Sequence, residues 1–389
     1  MPNSGLAQWS NGQAAEYVIG QPNFTSTAST CTATGVSKCT GVAVDVPNGK
    51  LYVADSLNNR VLRFSYPITG NAPAAELVFG QPDFTTSTAN NGGIGASSLS
   101  YPTGMVVDST GRLFVCDLNN HRVLQFDSAH TIGSNKPSAD RVLGQSSFTA
   151  GSSGTSASRF WTPRSVAVDT TGSLYVADFE NHRVLRFDSA SSKANGASAD
   201  GVLGQSNFTS NGSNYFSKNA TGMANPAGCA VYGGYLYVTE YWNERVLRFD
   251  AAAQKSNGGA ADGLLGASAF NGSIPAGLGA SQFSQSLFGA AVDISGRLYI
   301  PDAFDRRLMI FDSAHTKAIG ASADNLLGQS SFSNNTNQAT QSGCSGFAGV
   351  AVDSVNGKVI VGDYVTNHRV LVYSASAMLP VDLSHVLID

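Results

Sequence analysis

Short apolar runs alternate along the chain with polar stretches rich in glycine, serine, threonine and asparagine. The apolar runs are four to six residues long, contain mostly valine, leucine, isoleucine, tyrosine and phenylalanine, and are bounded by turn-forming residues. This pattern is typical of β-strands. Successive positions within a run are apolar, so we expect both faces of each strand to be buried. Because helical periodicity is absent, the chain is predicted to be all-β.

The apolar runs belong to a unit that occurs six times. Three motifs follow one another in each unit, and their first copies are GVAVD at 41–45, LYVAD at 51–55 and RVLRF at 60–64. A fourth motif of the form VLGQxxF marks each interval, and its glycines lie 60 to 64 residues apart, at Gly20, Gly80, Gly144, Gly204, Gly266 and Gly328. Four short strands per repeat, stacked face to face, are the blades of a β-propeller. We therefore predict a six-bladed β-propeller with four-stranded blades.

The order of the motifs predicts how the ring closes. The chain opens with a fourth-strand motif, AAEYVIG at 14–20, and its last repeat ends after a third strand, RVLVYSAS at 369–376. The sixth blade is complete only if the N-terminal strand pairs beside that third strand, which also removes exposed sheet edges. We predict one propeller domain at 1–376, followed by a C-terminal tail or linker at 377–389.

An acidic residue at the end of each second strand is followed by an arginine that begins the third strand. Across such a hairpin the arginine can return to the carboxylate with charge-assisted hydrogen bonds. Because the pair occurs once in every blade, a structural lock of the turn is favoured over a catalytic array. The pairs are Asp55/Arg60, Asp117/Arg122, Asp178/Arg183, Glu240/Arg245, Asp302/Arg307 and Asp363/Arg369.

The motifs GVAVD, LYVAD and NHRVLRFD resemble the NHL repeat over residues 14–376, and the interposed VLGQxxF is similar to the long-blade variety of secreted bacterial NHL proteins. The resemblance implies an NHL-type propeller in the extracellular space or the periplasm. The chain as given begins MPNSGLAQWSNGQ, which is not the pattern of a signal peptide. Function follows weakly from the resemblance, because this fold carries lyases, hydrolases, receptors and RNA-binding proteins.

The resemblance also suggests where a metal would be held. Amidating lyases of the NHL type hold a channel zinc with histidines on the first strands of separate blades. The matching positions here carry Thr40, Thr103, Arg164, Ala227, Phe288 and Ala348, none of which is a typical zinc ligand. His121, His182 and His368 occupy equivalent places in separate blades and are not expected to converge on one ion. No cofactor and no metal site is predicted, and a metal ion in the channel stays an open alternative.

Cysteine spacing, charge balance and the length of the apolar runs bear on disulfides, nucleic-acid binding and membrane insertion. Cys31 and Cys39 lie in one polar loop and form a candidate disulfide if the protein is exported. The chain has 23 lysines and arginines against 27 acidic residues, and no basic block, which argues against a nucleic-acid partner. No apolar stretch reaches the roughly 18 residues of a membrane span.

The segments between each VLGQxxF motif and the next first strand differ from blade to blade. Binding residues concentrate on such loops, and in a propeller these loops share a face with the turns after the second strands. The candidate ligand-binding residues on this face are Phe160, Trp161, Arg164, Tyr215, Tyr241, Trp242 and Phe288. The alternative is that these rings fold back to plug the barrel and anchor the loops.

The expected function is a non-catalytic extracellular recognition or scaffold propeller that binds a protein or carbohydrate partner through its loop-rich face. We expect a monomer or a repeating extracellular assembly. Two alternatives stay open, namely a metal-dependent lyase or hydrolase acting in the central channel and a structural subunit of an extracellular assembly. Enzymatic activity is the less expected outcome.

Overall fold

The computed structural model describes residues 8–272, 277–284 and 288–376. Six antiparallel sheets of four strands, one for each sequence repeat, surround a central channel. The predicted all-β, six-bladed propeller is therefore confirmed. The helices in the described part of the chain are 3-10 turns of three residues, and none of them is long and apolar enough to cross a membrane.

In blades 1 to 3 the strands follow chain order from the channel outward. Blade 1 contains β2 (Cys39–Asp45), β3 (Lys50–Asp55), β4 (Arg60–Ser65) and β5 (Leu77–Phe79). Blade 2 contains β6 (Pro102–Val107), β7 (Leu113–Asp117), β8 (Arg122–Phe126) and β9 (Arg141–Leu143). Blade 3 contains β10 (Pro163–Val168), β11 (Leu174–Asp178), β12 (Arg183–Phe187) and β13 (Gly201–Leu203).

Blades 4 and 5 keep this order, whereas blade 6 takes its outer strand from the start of the chain. Blade 4 contains β14 (Pro226–Tyr232), β15 (Tyr235–Glu240), β16 (Arg245–Phe249) and β17 (Gly263–Leu265). Blade 5 contains β18 (Ala291–Val292), β19 (Leu298–Asp302), β20 (Arg307–Phe311) and β21 (Asn325–Leu327). Blade 6 contains β22 (Phe347–Asp353), β23 (Lys358–Asp363), β24 (Arg369–Ser374) and β1 (Tyr17–Ile19).

The N-terminal strand closes the ring as predicted. β1 pairs antiparallel with β24, and Val18 lies opposite Leu371. Val18 and Ile19 are fully buried and point into two different apolar clusters, one on each side of blade 6. Strand β1 therefore ties three blades together. The predicted tail at 377–389 lies outside the described residues.

The acid–arginine pairs are buried at the loop-rich end of the blades. In blade 1, Arg60 Nε donates to Asp55 Oδ2 at 2.7 Å, and its other N–H groups donate to the carbonyl oxygens of Thr32, Gly35 and Phe84. One guanidinium thus joins the hairpin to the loops before and after it. Equivalent contacts occur in the other five blades. We call each pair, with its neighbouring asparagine, a turn lock.

Blade 5 has a different turn lock. In blade 1, Asn58 Nδ2 donates to Asp55 Oδ2 at 2.8 Å, but in blade 5 a second buried carboxylate, Asp305, takes the place of the asparagine. Arg307 contacts both Asp302, at 3.0 Å, and Asp305, at 3.2 Å. Burial, with a smaller contribution from Asp305, raises the pKa of Asp302 to about 7. Burial raises the pKa of Asp55 and Asp178, in two asparagine-containing locks, only to about 6, so Asp302 binds its proton more tightly than either.

The predicted disulfide is not formed. Cys31 and Cys39 are both free thiols. Cys39 is buried in the apolar cluster between blades 6 and 1, whereas Cys31 Sγ donates to the carbonyl oxygens of Phe84 and Thr86 at 3.6 and 3.5 Å. The short spacing in sequence misled the prediction because the strand β2 begins at Cys39 and turns its side chain into the core.

Ring closure by β1 predicts the effect of Val18→Asp. A carboxylate at this position would lie in an apolar cluster without a partner, so we expect the free energy of unfolding to fall by about 3–5 kcal/mol. Urea denaturation measures the change. The control is Thr27→Asp in an exposed loop position, which should change stability by less than about 0.5 kcal/mol. Equal stability of the two variants would contradict the closure.

Asp305→Asn restores the asparagine of the other turn locks and is expected to flatten the pH dependence of stability. Asp302 has an ordinary pKa of 3.8 and a folded value of about 7, so the folded state binds its proton more tightly than the unfolded state. Its contribution to stability is therefore full below pH 3.8 and is lost as the pH rises toward 7. Without the second carboxylate, the decrease in the free energy of unfolding between pH 5 and 8 should be smaller by about 1 kcal/mol.

Urea denaturation at pH 5, 6.5 and 8 tests the Asp305→Asn prediction. The control is Asp127→Asn, which removes an acidic side chain with 39% exposure outside the turn locks. It should leave the slope of stability against pH as it is in the parent protein. A parallel slope for Asp305→Asn would show that the two carboxylates of blade 5 do not share a proton.

Candidate functional site

The candidate site lies where the central channel opens on the loop-rich face. We call this opening the mouth, and define it by equivalent first-strand positions: Thr40, Thr103, Arg164, Ala227, Phe288 and Ala348. In five of the six blades the pairing register of the first strand shifts here. In blade 3 the shift falls between Pro163 and Ser165 and leaves Arg164 unpaired. Such a β-bulge redirects a side chain and is frequent beside functional sites.

Arg164 is the charged residue of the mouth, and it is surrounded by aromatic rings. Its guanidinium carbon lies 3.9 Å from the ring centroid of Phe179, 5.4 Å from that of Phe288 and 5.8 Å from that of Tyr241. Its Nε atom is buried without a hydrogen-bond partner, and no acidic side chain among the described residues forms an ion pair with it. Burial lowers the pKa of Arg164, yet a guanidinium stays charged in proteins. The mouth therefore presents an unpaired cation.

Three tyrosines from alternate blades lie near this guanidinium: Tyr101, Tyr241 and Tyr364. Phe288 packs between two of them, with ring centroids 5.6 Å from Tyr241 and 5.1 Å from Tyr364. Burial raises the pKa of Tyr101 and of Tyr364. Because both hydroxyls stay protonated at neutral pH, they can donate hydrogen bonds to a group bound on Arg164.

Tyr101 and Tyr364 were missed from the sequence. Tyr364 directly follows the acid of its second strand, as Tyr241 does in blade 4 and Phe179 in blade 3. Extending the same count to blade 6 would have found it. Tyr101 directly precedes the first strand of blade 2 and adopts a positive φ of 56°. No local motif marks that residue.

Aromatic rings continue outward from Tyr241 in a series of edge contacts. The ring centroids of Tyr241 and Trp242 are 5.0 Å apart, those of Trp242 and Tyr215 are 6.3 Å apart, and those of Tyr215 and Phe216 are 4.9 Å apart. The exposed fractions are 40% for Trp242, 37% for Tyr215 and 96% for Phe216. We call these three residues the aromatic shelf.

Two of the predicted ligand-binding residues lie apart from this cluster. Phe160 is fully buried and packs edge-on against Phe187 at 5.9 Å. It anchors its loop in the core between blades 2 and 3, so its proposed exposure on the ligand face is corrected. Trp161 is 40% exposed on the loop-rich face, where its backbone N–H donates to Asp178 Oδ1 at 2.6 Å. The other five predicted residues form one continuous aromatic–arginine cluster.

The channel below the mouth is narrow, and the side chains that line it are apolar. Its walls consist of first-strand side chains such as Met105, Val166 and Cys229, and its cavity measures about 180 Å³. The narrowing follows from backbones in close approach, since a Cβ atom on Gly104 would lie 2.5 Å from the carbonyl oxygen of Arg164 in the next blade. Pockets for small-molecule ligands usually measure about 300–1,000 Å³. The space inside the channel is therefore smaller than a usual small-molecule pocket.

The described residues do not fit a channel metal ion. No group of three or more histidine, cysteine or acidic side chains is placed to hold one in this part of the chain. His121, His182 and His368 lie in separate blades, and each Nδ1 accepts a backbone N–H from the next blade. Burial lowers the pKa of all three, which keeps them neutral for this structural contact.

Comparisons with known proteins identify the repeat and the fold. The family model described as NHL repeat matches residues 37–64, 99–126 and 160–187. No curated protein sequence matches the chain. Among solved structures the chain is similar to a gluconolactonase from Xanthomonas campestris, with 14% sequence identity, a TM-score of 0.49, and coverage of 92% of this chain and 98% of that chain. At this identity the similarity concerns the fold.

The comparison corrects the expected function. The solved structure with a similar fold is that of an enzyme, so the expectation of a non-catalytic recognition or scaffold propeller is withdrawn. Neither an extracellular location nor carbohydrate binding is shown by these findings. The three repeat matches and the ring of six four-stranded blades support an NHL-repeat β-propeller.

Proposed function

We propose that this propeller is an enzyme of hydrolase or lyase type that binds an anionic group of a small substrate on Arg164, at the mouth of the channel. The observation that carries the proposal is the half-buried Arg164, whose buried Nε has no hydrogen-bond partner and whose guanidinium forms no ion pair among the described residues. Removing a charge from water is costly unless another charge compensates it. A bound anion would supply that compensation.

Arg164 can hold and polarise the reacting group. A planar guanidinium donates two parallel hydrogen bonds to a carboxylate, or to the oxygen that becomes negative when an ester or lactone is cleaved. Phe179, stacked at 3.9 Å, fixes the plane of the guanidinium. The protonated hydroxyls of Tyr101 and Tyr364 are further donors for the same oxygen atoms.

Glu180 is our candidate for the proton-transfer group. It directly follows Phe179, the ring stacked on Arg164, and it is the acidic residue whose charge acts on Arg164. A carboxylate beside the bound group can take a proton from an attacking water or from a carbon acid. These two roles correspond to hydrolysis and elimination, respectively.

Arg164→Met tests the proposal. We expect kcat/KM toward esters and lactones that carry a carboxylate to fall by about 100-fold or more, because the charge that stabilises the bound anion is lost. Arg164→Lys keeps the charge without the planar pair of donors, so its kcat/KM should lie between those of the parent protein and Arg164→Met. The melting temperature should hold or rise, since an unpaired buried charge is removed.

The matched control is Arg159→Met. Arg159 lies in the same loop, but its Nη1 donates to Gln145 and to the carbonyl oxygen of Ser152, away from the mouth. Its kcat/KM should equal that of the parent protein, whereas Glu180→Gln should lower kcat with little change in KM. Equal turnover by the parent protein and Arg164→Met, or no turnover of any carboxylated ester or lactone, would contradict the proposal.

Other expectations from the sequence stay predictions. They concern a location outside the cytoplasm, protein or glycan partners, and a monomeric or repeating state. The absence of a nucleic-acid partner is supported by the acidic balance of 23 basic against 27 acidic residues. Light scattering during size-exclusion chromatography would test the oligomeric state.

A further inference from the structure

We infer that the substrate is an amphipathic carboxylate whose anionic head binds Arg164 while a flat apolar body lies on the aromatic shelf. This inference rests on the proposed function and names its substrate class. It begins from the continuity of the two surfaces. Tyr241 lies 5.8 Å from the guanidinium of Arg164 and 5.0 Å from the ring of Trp242, so the shelf starts where the anion would be held.

The side chains beside Arg164 and along the aromatic shelf favour a ligand with an apolar body over a ligand rich in hydroxyl groups. Phe179 and Phe288 beside the guanidinium, and Phe216 at the outer end, have no polar side-chain atoms. The amide next to the shelf in sequence, Asn214, is buried; its Oδ1 accepts a hydrogen bond from Asn243 at 2.9 Å, and its Nδ2, which has no hydrogen-bond partner, is shielded from solvent. A sugar requires several directional partners for its hydroxyls, whereas a flat ring needs only faces and edges of other rings.

Two charged side chains at the outer part of the aromatic shelf help to locate the position at which the apolar body of the ligand stacks. Lys218 Nζ lies 5.8 Å from the ring centroid of Tyr215, and the charge of Glu244 acts on Lys218. The outer part of the shelf is therefore bordered by a cation and an acid. Trp242, between Tyr241 and Tyr215, is the ring on which we expect the body to stack.

Binding of 2-naphthoate to the full chain, measured by isothermal titration calorimetry, tests the inference. Acetate and gluconate supply the carboxylate without a flat apolar body, and 2-naphthamide supplies the body without the charge. We expect 2-naphthoate to bind about tenfold tighter than acetate or gluconate and about tenfold or more tighter than the amide. Arg164→Met should remove the preference for the carboxylate, and Arg164→Gln replaces it if the Met variant does not fold.

Trp242→Ala should weaken 2-naphthoate binding by about 3- to 10-fold and leave acetate binding unchanged. The matched control is Tyr232→Ala, because Tyr232 has a similar exposure of 38% but ends the first strand of blade 4 at the opposite end of the channel. That variant should bind 2-naphthoate as the parent protein does.

The outcomes separate the inference from the proposed function. If gluconate binds as tightly as 2-naphthoate and both lose affinity in Arg164→Met, the apolar body is wrong and the anion site stands. If 2-naphthoate binds equally well to the parent protein and Arg164→Met, the anion site and the inference are both wrong. If all binding effects appear but Arg164→Met hydrolyses carboxylated esters normally, the assignment of catalysis to the mouth is wrong.

Discussion

A buried arginine paired with an acid holds the loop-rich face of every blade in place. Each guanidinium also donates to backbone carbonyls of the loops on either side of its hairpin, so removing the acid would leave an uncompensated charge at a cost of about 3–5 kcal/mol. The Asp178 lock of blade 3 reaches the functional site directly, because it accepts the backbone N–H of Trp161, three residues before Arg164. The mouth is thus built on a rigid frame.

The same residue type serves two opposite purposes in this protein. Arg183 is fully buried with an acid and three carbonyl oxygens around it. Arg164, in the same blade, is surrounded by rings and has a buried Nε without a hydrogen-bond partner. Full compensation explains a structural role, and missing compensation calls for a ligand. The contrast within one blade is the reason why we propose Arg164, and not Arg183, as the ligand-binding arginine.

The sequence was sufficient for the blade number, the strand content and the closure by β1, because a repeat reports the same structure six times. It was insufficient where a side chain's direction mattered. Phe160 was assigned to the surface, yet a Cβ atom on Gly144 would lie 2.1 Å from its ring, which shows the ring packed onto that glycine. Leu99 packs on Gly80 in the same way. The regular spacing of these residues, which pack on the glycines of the fourth-strand motif, was visible in the sequence. The lack of an ion-pair partner for Arg164 could be seen only in the structure.

The position of Arg164 predicts that its side chain can be changed with little effect on the stability of the ring. The bulge takes Arg164 out of the β-ladder, and its side chain joins neither a turn lock nor an apolar cluster between blades. Stability instead depends on residues such as Gly104 and Val18, whose surroundings leave no space for change. A substitution at the mouth therefore alters the charge offered to a ligand while the ring stays closed. Loss of activity without loss of folding is the signature that separates this arginine from the six in the locks.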